Sequence, residues 1–439
     1  MSDKAQPVEL PPITLFADGP TEEIREANME AVTPSPGFPD CCFLLVEAIV
    51  KRADIILMDY TRDQVTVRFQ IDGVWHDLPP RDRASGDLML ATLKKLANLD
   101  FQERRNRQKG EFGAEWMTKT HRFEITSQGV RTGERVVLRT DRPKKKLEKL
   151  EDLGIRPKLL AAFQEQSEAS EGLILFSSLP GDGKSTLWRC GLNSVDRFTR
   201  DYYSIESQDA LEPEIINVAQ ITFDPNIDET PLDKLPQLLL RQPDVMCLPD
   251  LVSGEVVNEV CTTIRDQQKQ FYGYIPSRSA LEAILRVLSL KPDPAAFAES
   301  LSAVLHERIV RKLCEDCRQP YDPSPQMLAK LGIPAGRVQK FYDEWRPPPP
   351  EEQVDEKGNP IEIPVCPKCN GIGYYGRTGI FELLVITEEI REVIRKKPSL
   401  DALTAAASKG GHISLKDEGI VLVAKGTTSI QELQRVLKK

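Results

Sequence analysis

Apolar and polar positions follow two rhythms along this chain. In Phe43-Leu-Leu-Val-Glu-Ala-Ile-Val-Lys-Arg52 the apolar side chains recur at the three- and four-residue spacing of an amphipathic helix. Ile55 to Met58 and then Val65, Val67, Phe69 and Ile71 alternate at a period of two and predict strands, with Asp72-Gly73 as a hairpin turn. A helix around 88–97 and strands near 121–127 and 135–140 complete a small α+β domain that ends near Arg142. The run 142–149 combines proline with lysines and reads as a solvated linker. Residues 153–166 then read as a helix, and Leu173-Ile-Leu-Phe176 is a continuous apolar run of the kind a fully buried strand needs. Helices at 187–194, 232–241 and 255–267 alternate with strands at 202–205, 244–248 and 271–275. That alternation predicts a parallel sheet flanked by helices, with ligands at the carboxyl ends of its strands. From Thr387 the pattern is one of short helices, the last opened by a Ser429-x-x-Glu432 capping box.

Length and composition narrow the picture. A chain of 439 residues suits two or three domains. Its net charge of −9 offers no electrostatic footprint for nucleic acid. The first 40 residues are rich in proline and acidic side chains and read as a disordered or docking tail. The N-terminus lacks the basic start and apolar core of a secretory signal, and no window approaches about 18 uninterrupted apolar residues, so a cytoplasmic protein is expected. Nine cysteines, an odd number, do not form a secreted disulfide framework.

The chemistry concentrates in residues 171–187. After the apolar run come Pro180, Gly181, Asp182, Gly183, Lys184, Ser185 and Thr186, then a helical pattern. Two glycines let backbone N–H groups turn in on an anion, a lysine reaches β- and γ-phosphates, and a serine hydroxyl serves Mg²⁺. A nucleotide such as ATP is the expected ligand, although Ser178 stands where the full phosphate-loop pattern has its first glycine. Glu206, Asp224 and Asp250 each follow an apolar strand pattern. Phosphoryl transfer to water needs carboxylate for Mg²⁺ and a group that orients the water, and Glu206 and Asp250 are the candidates for those two roles. Cys314-x-x-Cys317 and Cys366-x-x-Cys369, 48 residues apart, have the spacing of a closed four-thiolate Zn²⁺ site, structural rather than catalytic. An exposed, extended loop containing Arg346-Pro-Pro-Pro-Pro is expected between them.

From Cys42 onward the chain resembles the ATPases of type II secretion and type IV pilus assembly, the GspE/PilB group. The matching stretches include 67–74, 96–105, 133–139, the phosphate loop, 240–245, 308–317 and 373–382. The resemblance implies a PAS-like α+β domain at 41–142, a linker at 143–158, a RecA-like core at 159–310, a zinc module at 311–372 and a C-terminal helical region at 373–439. It further implies a homo-hexamer at the cytoplasmic face of the inner membrane, a membrane platform protein as partner, and arginines of the first domain that reach the nucleotide. Arg105, Arg135 and Arg139 stand in the matching segments, with Arg105 and Arg139 expected in catalysis and Arg135 in nucleotide binding.

Several family positions differ here. Pro249-Asp250 replaces Gly-Glu, Val252-Ser253 replaces Arg-Asp, Ile56 replaces a first-domain histidine, and residues 268–279 lack the family's paired histidines. Two readings stand at this point: a motor that hydrolyses ATP to drive filament assembly or export, or a catalytically impaired nucleotide-binding subunit of such a ring, with an active paralogue as a further partner.

Overall fold

The computed structural model describes residues 10–141, 146–334, 336–353, 361 and 363–438. Residues 1–9 of the expected tail and 142–145 of the expected linker lie outside them. The chain divides into two compact units, Met1–Lys145 with Trp345–Tyr375, and Lys146–Glu344 with Gly376–Lys439.

The first unit runs through β1 (Ile13–Phe16), α1 (Glu22–Val32), α2 (Phe38–Val50), β2 (Ile55–Tyr60), β3 (Gln64–Ile71), β4 (Val74–Asp77), β5 (Arg81–Asp82), α3 (Arg83–Leu96), β6 (Gln108–Trp116), β7 (Lys119–Val130) and β8 (Gly133–Asp141). Among the described residues its eight strands form one antiparallel sheet in the order β1-β6-β7-β8-β2-β3-β4, with β5 beside β3. The period-two alternation is the cause: Val65, Val67, Phe69 and Ile71 are buried and pack with Leu45, Ile49 and Leu93 from the helices. Asp72 and Gly73 both take positive φ, 49° and 81°, as a tight hairpin between right-twisted strands requires.

Residues 10–40 are not a tail. β1 pairs with β6, Leu15 enters the core, and α1 is capped by Thr21, whose Oγ1 accepts from the Ile24 N–H at 3.3 Å. Buried Asn28 donates to the Asp18 carbonyl at 2.9 Å and fixes the turn into that helix. Pro11 and Pro12 precede the strand and Pro34 and Pro36 separate helices, so the prolines that suggested disorder punctuate elements instead.

The second unit begins with α4 (Leu150–Leu153) and α5 (Pro157–Ser167), so the second half of the expected linker is packed chain with Leu150 fully buried. It continues through β9 (Gly172–Ser178), α6 (Lys184–Asn193), β10 (Tyr202–Ser207), β11 (Val218–Phe223), α7 (Pro231–Leu239), β12 (Val245–Leu248), α8 (Gly254–Gln267), β13 (Gln270–Tyr274), α9 (Ala280–Ser289), α10 (Pro294–Ser300) and β14 (Leu301–Leu313). The sheet order is β11-β10-β12-β13-β9-β14-β17, where β17 spans Tyr374–Val385, and β9 pairs in parallel with both β13 and β14. β9 is buried on both faces: Leu173 and Leu175 join one core with α8 and α9, while Ile174 and Phe176 join another with α5 and α6. A continuous apolar run is what that position demands.

Between β14 and β17 lie β15 (Gln319–Tyr321), α11 (Pro325–Lys330) and β16 (Phe341–Asp343), with β15 and β16 paired antiparallel. The region from 373, expected to be helical, opens with β17 in the main sheet, and only then come α12 (Glu388–Lys396), α13 (Leu400–Lys409), α14 (Leu415–Ala424) and α15 (Ile430–Leu437). In α15, Ser429 Oγ accepts from the Glu432 N–H at 3.1 Å as expected. The Glu432 carboxylate instead gathers the Arg311 N–H and the guanidinium groups of Arg311 and Arg435 at 2.6–3.0 Å, which ties the last helix to β14.

Candidate nucleotide-binding site

β9 delivers the phosphate loop at its carboxyl end. Gly181 and Gly183 take φ of 87° and 88°, a region closed to most side chains, and Gly183 is the N-cap of α6. Lys184, Ser185 and Thr186 form the first turn of that helix, where leading N–H groups have no carbonyl four residues back and can serve an anion. Pro180 lies in the turn, and the Asp182 N–H closes it on the Leu179 carbonyl at 3.0 Å. The Asp182 carboxylate is held by Arg308 Nε at 2.9 Å, so this loop side chain faces protein.

The departure at Ser178 has a structural answer. The residue ends the buried strand, its φ is not positive, and its Oγ lies 3.0 Å from the Tyr274 hydroxyl. The Tyr274 ring also lies under Lys184, 5.2 Å from Nζ. Serine and tyrosine together brace the start of the loop. The Tyr274 hydroxyl also donates to the Ser178 carbonyl at 3.2 Å, so Tyr274→Phe is expected to cost about 2 kcal/mol, the usual net worth of two hydrogen bonds, seen as a fall of roughly 4–8 °C in thermal midpoint.

Behind the loop, Ser177 Oγ meets Ser277 Oγ at 2.6 Å and His306 Nδ1 at 3.2 Å. Ser277 belongs to the segment that lacks the family's histidines, and the histidine found here comes from β14. Burial lowers His306 to about 4, so it is neutral. The next residue, Glu307, is paired in register with Ser178. Burial first, then the charge of Asp182, push its carboxyl up to about 8.

The acidic candidates separate clearly. Asp250, after β12, presents both oxygens to Lys184 Nζ, at 2.8 and 2.7 Å. Glu206 does not reach the lysine. It is buried, its carboxylate bonded to Ser204 Oγ, to the Glu212 N–H at 2.8 Å and to Gln220 Nε2 at 3.3 and 3.4 Å. The carboxylate beside Lys184 on that flank is Glu212, with Oε1 3.1 Å from Nζ. It sits in a loop without motif, and only its nearness to the end of an apolar strand could have drawn attention to it. Burial works against the Lys184 charge, but the hydrogen bonds and charge of Asp250, with Glu212, hold its pKa above the ordinary lysine value. Asp224 caps a short turn, accepting from the Asn226 N–H at 2.9 Å, and stays structural.

The three arginines lie in the first unit. Arg135 and Arg139 are exposed on one face of β8, opposite buried Val136 and Leu138, and Arg135 Nε is paired with Asp59 at 2.6 Å. Arg105 is on a loop stabilised by Glu103, which accepts from the Arg105 and Asn106 N–H groups at 2.7 and 3.1 Å. Those bonds pull the Glu103 carboxyl down to about 2. Arg105 lines a cleft with Arg83, Arg104 and Arg131, three arginines the sequence reading did not single out.

The cysteines come together as their spacing requires. Cys314 and Cys317 bracket a turn after β14 in which the Arg318 N–H reaches the Cys314 carbonyl at 2.9 Å, and in the second knuckle the Asn370 N–H reaches the Cys366 carbonyl at 2.8 Å. The Gly373 N–H donates to Cys369 Sγ at 3.4 Å. All four sulfur atoms lie within 4.8 Å of one another. Tetrahedral Zn²⁺ with bonds of about 2.3 Å sets its sulfurs about 3.8 Å apart, so this donor set fits with little movement.

A parallel sheet that offers a two-glycine loop, a lysine and a helix N-terminus at one strand end defines an α/β phosphate-loop protein. The chain belongs to the family described as type II/IV secretion system protein, whose model matches residues 40–435. A Vibrio cholerae protein named type II secretion system ATPase E is 27% identical over 90% of this chain and 74% of its own length. The protein transport protein HofB homolog of Escherichia coli is 29% identical over 90% of this chain and 80% of its own. The X-ray structure of the Legionella pneumophila ATPase DotB shares the fold at a TM-score of 0.51 and 12% identity, covering 92% of this chain and 96% of that one.

Proposed function

We propose that this chain binds Mg²⁺·ATP and hydrolyses it, slowly, as the ring-forming motor of a secretion or pilus-assembly system. The observation that carries the reading is Lys184, presented by a two-glycine loop and already contacted by two carboxylates, in a chain whose family includes named secretion ATPases. Ser185 at the first turn of α6, Glu212 and Asp250 would supply the oxygen donors that Mg²⁺ takes, and Glu212 Oε2 is buried without a hydrogen-bond partner. When bound, the cation neutralises phosphate charge; Lys184 takes the β- and γ-phosphates, and Asp250 is the group placed to orient water. Glu206 acts at one remove, holding the Glu212 loop by its backbone. Arg105, Arg135 and Arg139 are retained as phosphate contacts on the strength of their matching segments.

The family resemblance supports, as part of this proposal, a homo-hexamer with an inner-membrane platform partner and a peripheral cytoplasmic location. Among the described residues no helix is long and apolar enough to cross a membrane. Zinc is the proposed occupant of the cysteine cluster. Metal analysis of carefully purified protein is expected to find close to one equivalent, and less than about half an equivalent would count against the site.

Steady-state phosphate release by the assembled protein with Mg²⁺·ATP, beside a Lys184→Ala control, tests the motor. Turnover above that control supports it. A second reading, a nucleotide-binding subunit with impaired hydrolysis, is favoured by Asp250, one methylene shorter than glutamate and bound through both oxygens to Lys184. Tight binding with turnover no greater than the control selects that reading.

A further inference from the structure

We propose that Glu212 sets the magnesium requirement of nucleotide binding: it is the counter-charge of Lys184 before phosphate arrives, and afterwards a buried carboxylate that needs the nucleotide's cation. This deepens the proposed function and rests on it. The carboxylates around Lys184 differ in what they can do once the lysine changes partner. Asp250 has a side chain 47% exposed and can turn into water. Glu212 cannot, because its side chain is 4% exposed and its loop is fixed at two backbone atoms, the N–H by Glu206 at 2.8 Å and the carbonyl by Gln220 Nε2 at 3.0 Å.

The charges decide the rest. One ammonium faces two carboxylates, and only one oxygen of Glu212 is used; Oε2 is buried and has no hydrogen-bond partner. Phosphate oxygens that draw off the Lys184 ammonium leave the Glu212 charge out of water beside further negative charge, an arrangement proteins avoid unless a cation compensates. A divalent ion carried in with the phosphates supplies that compensation and finds the spare oxygen in place. Without it, nucleotide and Glu212 compete for one lysine.

The test is the dissociation constant of ATP for the full chain, measured by calorimetry in excess Mg²⁺ and again in EDTA, for wild type, Glu212→Gln and Asp250→Asn. Wild type is expected to bind at least 100-fold more weakly in EDTA. In Glu212→Gln the EDTA affinity is expected to tighten at least tenfold while the Mg²⁺ affinity weakens with the loss of a carboxylate ligand, so the Mg²⁺ ratio shrinks at least tenfold; Asp250→Asn moves that ratio less. An unchanged ratio in Glu212→Gln, or a larger change in Asp250→Asn, overturns the inference. Thermal unfolding of each variant shows that it is folded, and should Glu212→Gln fail there, Gln220→Leu, which frees the Glu212 loop, is expected to shrink the same ratio, with no change again overturning the inference. Wild type that binds ATP in neither condition overturns the nucleotide reading itself, a result distinct from binding with an insensitive ratio.

Discussion

Lys184→Ala is expected to weaken Mg²⁺·ATP binding roughly 30- to 1,000-fold, corresponding to the roughly 2–4 kcal/mol typical of truncating one partner of a desolvated charge pair. Three contributions add. The phosphates lose their only loop cation; Asp250 and Glu212, at 2.7 and 3.1 Å from Nζ, lose their counter-charge; and both then repel the incoming anion. The fold should survive, since Lys184 is part-exposed and α6 keeps its Gly183 cap and the buried Leu187 and Trp188. Titration with a fluorescent ATP analogue, beside a thermal melt, checks both halves. Affinity within threefold of wild type would mean that the loop backbone alone carries binding.

Glu307→Gln is expected to stabilise the protein at alkaline pH and to flatten its pH dependence. The Glu307 carboxyl is raised in the fold to about 8 from an ordinary value of 4.5. Between those values the folded chain holds one proton that the unfolded chain has released, so stability falls as pH rises, by about 1.4 kcal/mol per unit. His306 works in the opposite sense. Its folded value of about 4 lies below the ordinary 6.5, so the unfolded chain binds the extra proton and stability rises with pH across that interval. The interval from about 6.5 to 8 therefore belongs to Glu307 within this pair. At pH 8 and above the variant should gain up to roughly 4 kcal/mol. Denaturant unfolding of both proteins at pH 6, 7 and 8 measures it, and parallel curves would show that Glu307 is not protonated in the fold.

The legible parts of the sequence were those where one physical demand dominates. β9 sits between β13 and β14 and is buried on both faces, so its middle must be apolar, and 173–176 says so. The phosphate loop and the cysteine pairs were legible because backbone φ and thiolate geometry leave few alternative residues. β14 escaped notice because His306, Glu307, Arg308 and Arg311 interrupt its apolar run, each held by a partner or by burial that no local pattern reveals. β17 was hidden by Gly376 and Gly379, and β1 and α1 by surrounding prolines. Among the site residues, Glu206 and Glu212 show the limit of motif reading. The strand-end position suggested that Glu206 faces the nucleotide, but its carboxylate is turned inward to Ser204 and Gln220 and holds the loop that brings Glu212 to the lysine. Nothing in the spacing of a loop residue announces that.

The place of β9 in the sheet also governs how the chain can emerge from the ribosome. Its neighbours β13 and β14 are encoded well after it, and Tyr274, which braces the loop, comes with the first of them. At about 5–20 residues per second, Leu313 is synthesised roughly 6 to 26 s after Lys184. Until β13 is made, neither hydrogen-bonding edge of this largely apolar strand has its partner, and until β14 is made one edge still lacks it, the condition in which nascent chains associate wrongly or engage chaperones. The feature that buries this strand on both faces in the finished protein thus leaves residues 172–178 exposed to error while the chain is being made.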